Sequence, residues 1–295
     1  VDWRRASRPF GQNCGFTLAE SAQFVVLMDD ALALQLGAEV HGAVTDVFIN
    51  ADGFKKSISA PGPGNYLTMA KAVASAIQIV GEDSVRQHSF VHAHGSSTPA
   101  NRVTESELLD RIAATFGIHA WPVTAAKAYV GHSLASASAD QLVSALGSFK
   151  YQIIPGIKTI DAIADDVHQQ HLRISTTNTR RDEQPLEVCF INSKGFGGNN
   201  ASAVVLAPQV VDRMLEKRYG AQRFADYCAL REHTRAAASR YDQQAQTGQF
   251  NILYNFGNDQ IDDQQLQMTA QQIQVPGFRQ PLVFSKDPRF SDMLD

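Results

Sequence analysis

Apolar and polar positions alternate along the 295 residues with two different periods, and the changes of period mark the elements. Short apolar runs predict strands over 23–28 (read as buried), 43–49, 89–93, 122–126, 186–191 and 201–207. Helical spacing fills the gaps. One helix opens at Asp29 and stops near Gly37, and others cover 65–80, 103–116 and the stretch from His132 to about Lys150. The last two strands flank a glycine-rich loop, the signature of a β-hairpin. Strands alternating with helices predict an α/β fold over residues 1–208. After Pro208 the pattern changes. Residues 210–244 are charged and Ala-rich with helical spacing through Leu215, Tyr219, Phe224, Tyr227 and Leu230, and the remainder is rich in Gln and Asp. The expected organisation is a body over 1–208 with an appended helix and an extended arm, 209–295, packing on it.

Composition narrows the class only modestly. Apolar content of 44% and charged content of 19% suit a globular protein. A net charge of −4 gives no support for a nucleic-acid partner. No apolar run approaches membrane-spanning length, so no membrane role is expected. Cys14, Cys189 and Cys228 are too few and scattered for a disulfide framework. The chain opens on Val1 without a signal-peptide pattern, reads as a fragment or a processed chain, and is expected in the cytoplasm.

Three polar clusters fall at the ends of predicted strands, where α/β folds place their sites. They are 92–101, which runs His-Ala-His-Gly-Ser-Ser-Thr-Pro-Ala-Asn and is followed by Glu105; 127–132, Lys-Ala-Tyr-Val-Gly-His; and 192–200, Asn-Ser-Lys-Gly-Phe-Gly-Gly-Asn-Asn. Singly, each has a plainer reading: His94 caps a turn, Lys127 is a solvated side chain, and the glycines 195, 197 and 198 make a hairpin turn. His92 and His94 suggest metal ligands, but no Cys or acidic partner stands at metal-site spacing, so no metal is expected.

Taken together and in order, the three clusters closely resemble the C-terminal portion of the β-ketoacyl-acyl-carrier-protein synthases. That family carries His-Gly-Thr-Ser-Thr-Pro, then Lys-x-x-x-Gly-His, then Asn-Ser-Phe-Gly-Phe-Gly-Gly-Thr-Asn. Arg8-Pro-Phe10, Gly15-Phe16 and Glu20 are similar to its Arg-Pro-Phe, Asp-Gly-Phe and Glu-Gly-Ala segment, so the resemblance runs from about Arg8 to Pro208.

The resemblance implies a thiolase-like layered αβαβα fold, mainly its C-terminal half. It implies decarboxylative Claisen condensation of an acyl thioester with malonyl-acyl carrier protein in fatty-acid synthesis. The alternatives are a polyketide ketosynthase domain and a non-catalytic, chain-length-factor-like partner. By similarity, His94 and His132 stabilise an enolate, Lys127 keeps them neutral, and Phe196 is a gatekeeper whose backbone N–H serves an oxyanion hole. Gly195, Gly197 and Gly198 give that backbone room, Ser96 and Thr98 hold the phosphopantetheine arm, and Arg8 meets acidic acyl carrier protein. No cofactor is expected on the chain itself, because the carrier delivers the phosphopantetheine. The family's nucleophilic cysteine belongs upstream of Arg8, so an N-terminal half of the same enzyme is an expected partner, the chain alone is expected to be inactive, and a homodimer is expected when the enzyme is complete. Cys14 takes the place of a family Asp, and Cys189 reads as a buried structural thiol. Arg102 and Gln141 stand where the family has Asp and Glu, and Lys194 replaces a Phe, so the polar network around Lys127 is expected to depart from the common one.

Overall fold

The computed structural model describes residues 5–12, 15–53, 61–249, 256–258, 260–284 and 293, so Cys14 lies outside the described residues. Two compact units divide the chain, Val1–Ala236 and Ala237–Asp295.

The first unit is built on a six-stranded mixed sheet in the order β1-β8-β7-β2-β3-β5. Its strands are β1 (Ala43–Ala51), β2 (Ser89–His92), β3 (Trp121–Thr124), β5 (Leu172–Ile174), β7 (Val188–Gly195) and β8 (Asn199–Leu206). A short pair, β4 (Ile153–Ile154) with β6 (Thr179–Arg180), stands apart. Pairings β7–β2, β2–β3 and β3–β5 are parallel, while the β7–β8 hairpin and the β8–β1 edge are antiparallel. Parallel neighbours require crossovers, and two helices make them. These are α4 (Pro99–Phe116) between β2 and β3, and α6 (Ala137–Tyr151) between β3 and β5.

Strand alternation assigns the helices to faces. Asn192 points to Asn65 and Glu105, on α2 (Pro63–Val80) and α4, whereas the next residue, Ser193, points to Gln141 on α6. The core closes between these layers through Met69, Val73, Phe90, Leu109, Trp121, Phe149 and Phe190. Proline opens both α2 and α4, where a missing N–H costs no helical bond, and Gly117 ends α4 in the left-handed region.

Helix α1 (Asp30–Leu36) is bounded as its sequence predicts. The Asp29 carboxylate accepts from the Leu32 N–H, and Gly37 closes the helix at φ +59°. A side chain at Gly37 would collide with Leu230 of α8 (Ala221–Gln246), so both the φ and the close approach demand glycine. The helix expected over 210–244 is two helices, α7 (Pro208–Tyr219) and α8, broken at Gly220 with φ +83°. In the first unit α8 grips the α1 segment. Tyr227 is buried with its hydroxyl donating to the Ala38 carbonyl (2.8 Å), and Arg235 pairs with Glu39.

One expectation fails. Residues 23–28 form no strand and are not buried, with Phe24 99%, Val26 81% and Leu27 80% exposed. A strand needs a neighbour to accept and donate its backbone hydrogen bonds, and none of the described residues offers one there. The chain leading into it is tied down through the Leu18–His132 bridge, the Ala19 N–H to the His132 carbonyl (3.1 Å) and the Ser21 hydroxyl to Asp140 (3.2 Å), and Gln23 donates its side-chain amide to Asp140.

The second unit holds the last turns of α8 and a small antiparallel sheet of β9 (Gln267–Met268), β10 (Gln272–Gln274) and β11 (Leu282–Val283). Among the described residues no helix is long and apolar enough to cross a membrane.

Candidate active site

The three polar clusters meet because β7, β2 and β3 are adjacent and parallel, so their C-terminal ends open on one edge of the sheet. His94 follows β2, Lys127 follows β3, and the glycine loop follows β7. Lys127 does not sit in a loop, as the sequence suggested, but opens a one-turn helix, α5 (Lys127–Val130).

The rings of His94 and His132 lie edge to face, with centroids 5.4 Å apart. Each Nδ1 accepts a backbone N–H, from Lys194 to His94 (3.3 Å) and from Leu134 to His132 (3.1 Å). These bonds assign the tautomer, placing the proton of each neutral ring on Nε2. His94 Nε2 is buried and has no hydrogen-bond partner among the described residues. Phe16 packs its ring 5.2 Å from that of His132, and His132 is also held through its N–H to the Thr17 carbonyl (2.7 Å).

Lys127 is buried and donates through Nζ to the His94 carbonyl (2.6 Å). Burial pulls its ammonium down to about 8, against the opposing fields of Glu105 and Asp140. Burial, followed by the Lys127 charge, lowers His132 to about 4 and holds His94 well below the usual imidazole range. Glu105 lies at 0% exposure and accepts four hydrogen bonds, from the N–H groups of His94 (2.7 Å) and Gly95 (2.9 Å) and the amides of Asn101 (2.9 Å) and Asn192 (2.7 Å).

The remaining sequence candidates are distributed around this cluster. Ser96 is buried with its hydroxyl 3.2 Å from that of Thr98. Phe196 stands at the tip of the β7–β8 hairpin, 79% exposed, with Gly195 before it and Gly197 and Gly198 after it, the latter two at φ +80°. Arg8 lies outside the histidine pair and faces Asp161 (3.7 Å), which Arg5 also engages (2.7 Å). The Arg102 guanidinium donates to the Gly11 carbonyl (3.3 Å) and forks onto Asp166 (2.7 and 2.8 Å). That partner is 64 residues away and left no mark in the sequence pattern. Phe16 was within reach through the Gly15-Phe16 motif, whereas the Asn65–Asn192 amide bond (2.7 Å) was not. Neither described cysteine resembles an activated nucleophile. Cys189 is enclosed in β7, where desolvation pushes its thiol up, and Cys228 is half-buried on α8.

His92 is fully buried, with neither ring nitrogen hydrogen-bonded among the described residues, and desolvation holds it at about 3. His92 and His94 thus bind protons more weakly folded than unfolded, where imidazole titrates near 6.5. Their neutral forms cost nothing above pH 6.5. Below it, each erodes stability by about 1.4 kcal/mol per pH unit until its folded value is reached. The melting temperature is therefore expected to fall steadily from pH 6.5 to about 4, less steeply in His92→Leu. A wild-type profile flat across that window contradicts these assignments.

The fold and the arrangement of this site are similar to those of the β-ketoacyl synthases. Residues 41–161 match the family model described as the beta-ketoacyl synthase, C-terminal domain. All 295 residues align, at 73% identity, with the beta-ketoacyl-[acyl-carrier-protein] synthase FabY of Pseudomonas aeruginosa, covering 100% of this chain and 46% of that protein. The crystal structure of the P. aeruginosa ketosynthase FabY superposes with a TM-score of 0.93, again over 100% of this chain and 46% of that one. A 3-oxoacyl-[acyl-carrier-protein] synthase 2 of Vibrio cholerae is 29% identical over 68% of this chain and 47% of its own length. The chain spans about half the length of the curated relatives it matches.

Proposed function

We propose that the chain is the enolate-stabilising half of a β-ketoacyl-acyl-carrier-protein synthase. The observation that carries this reading is the paired imidazoles of His94 and His132, both neutral, both with Nδ1 occupied by a backbone N–H, and both presenting Nε2–H. When a malonyl thioester loses carbon dioxide, the C–C bond to the carboxylate breaks and its electron pair moves onto the thioester oxygen. Two preorganised N–H donors in a buried site stabilise that oxyanion without reorganising. The enolate carbon then attacks an acyl thioester, expelling the thiolate that held it. Lys127 supports the pair by disfavouring protonation of either ring.

In this reading the cysteine that holds the acyl group comes from sequence N-terminal to the chain. The exposed apolar segment at Phe24, Val26 and Leu27, with Ile49 exposed on edge strand β1, supports a covering partner of that kind. Ser96 and Thr98 hold the phosphopantetheine arm, Phe196 with Gly195, Gly197 and Gly198 forms the mobile oxyanion loop, and Arg8 faces an acidic acyl carrier protein. The complete protein works as a homodimer in the cytoplasm. Purified complete protein is expected to release carbon dioxide from malonyl-acyl carrier protein and to form the β-ketoacyl product when given an acyl primer. A protein that binds malonyl-acyl carrier protein yet releases none overturns the catalytic reading in favour of a non-catalytic partner.

A further inference from the structure

Past the last β2–β7 pair, His92 with Ile191, the chain leaves the sheet as His-Ala-His-Gly and must find partners for its buried backbone. Side chains supply them. Glu105 takes the N–H groups of His94 and Gly95, and Lys127 donates to the His94 carbonyl. Gln141, on α6 and at 0% exposure, donates through Nε2 to the carbonyls of His92 (3.1 Å) and Ala93 (2.8 Å). The same nitrogen donates across to the Asn192 carbonyl of β7 (3.1 Å), and its Oε1 accepts the Ser193 hydroxyl (3.1 Å). One neutral amide therefore spans the ends of β2 and β7, two of the three strands that carry the site. The residue after Ser193 is Lys194, whose N–H is the donor to His94 Nδ1.

We propose that Gln141 is a positioning residue. Its amide ties the end of β2 to the end of β7 at the separation that lets the Lys194 N–H hold His94 as the Nε2–H tautomer. The role of that tautomer in the reaction rests on the function proposed above. In this chain the bridging group is an amide donor aimed at three carbonyl oxygens, which an ionised carboxylate cannot supply. The charged and titratable groups facing His94 are Lys127, His132, Lys194 and Glu105, and none of them replaces the amide bridge.

The test is nitrogen NMR of the His94 ring in the 295-residue chain, read beside malonyl decarboxylation by the complete protein. Wild type is expected to show a single Nε2–H tautomer, unprotonated at neutral pH. Gln141→Met is expected to show mixed tautomers, with decarboxylation kcat down about 10²-fold, as for a misplaced group, and KM little changed. Gln141→Glu regains one donor only when protonated, so its defect deepens as pH rises. Should the Gln141 variants not fold, Ser193→Ala, which removes only the hydroxyl orienting the amide, is expected to move the His94 signals in the same direction by less. Unchanged His94 signals in every folded variant, Ser193→Ala included, overturn the brace. A wild type with the expected tautomer but no decarboxylation overturns the functional reading and leaves the brace standing.

Discussion

His132→Ala in the complete protein is expected to slow malonyl-acyl carrier protein decarboxylation about 10²- to 10³-fold, the effect of deleting one preorganised oxyanion donor. That factor corresponds to about 2.7–4 kcal/mol of barrier. His94→Ala should cost a similar factor, because the two rings are equivalent in tautomer and lie edge to face. The loss should fall on kcat, since a donor aimed at developing charge contributes little to binding the uncharged carbonyl. Alanine at both positions should cost less than the product of the two single effects, as with residues that act as a unit. Single-turnover carbon dioxide release is the measurement. Rates within threefold of wild type for either single variant would remove the enolate role.

Glu105→Ala is expected to be the most destabilising single substitution in the site. The carboxylate accepts four buried N–H donors and supplies the leading field that offsets the desolvation of Lys127. Removing it orphans those donors and leaves a buried ammonium with only the weaker field of Asp140 to offset its desolvation, which costs about 3–5 kcal/mol. In a chain of this size that lowers the melting temperature by roughly 10 °C. The Lys127 ammonium should drop further below its value of about 8, since its largest opposing field is gone. Glu105→Gln keeps one acceptor and loses the charge, so it should fall between wild type and alanine. A melting temperature within 2 °C of wild type in Glu105→Ala would show that water or rearranged side chains replace the carboxylate at no cost.

Local rules carried the sequence reading a long way. Asp29 and Gly37 bound α1 because capping and left-handed termination are settled within a few residues. The β7–β8 hairpin was legible because its two apolar runs flank one glycine loop. The same locality explains the failure at 23–28, where apolar content signalled a strand but the described residues include no strand to pair with it.

By itself the sequence determined most of the element types, the three motifs and the candidate residues for the chemistry, all properties of short windows. Only the tertiary structure decided that β7, β2 and β3 lie side by side and in parallel, which brings His94, Lys127 and the glycine loop to one edge. It also decided the histidine tautomers, the Arg102–Asp166 fork and the amide bridge of Gln141, whose partners lie up to 100 residues away. The physical reason is range. Periodicity and capping act over one or two turns of chain, whereas a buried polar atom takes whatever partner packing brings within 3 Å, however distant in sequence.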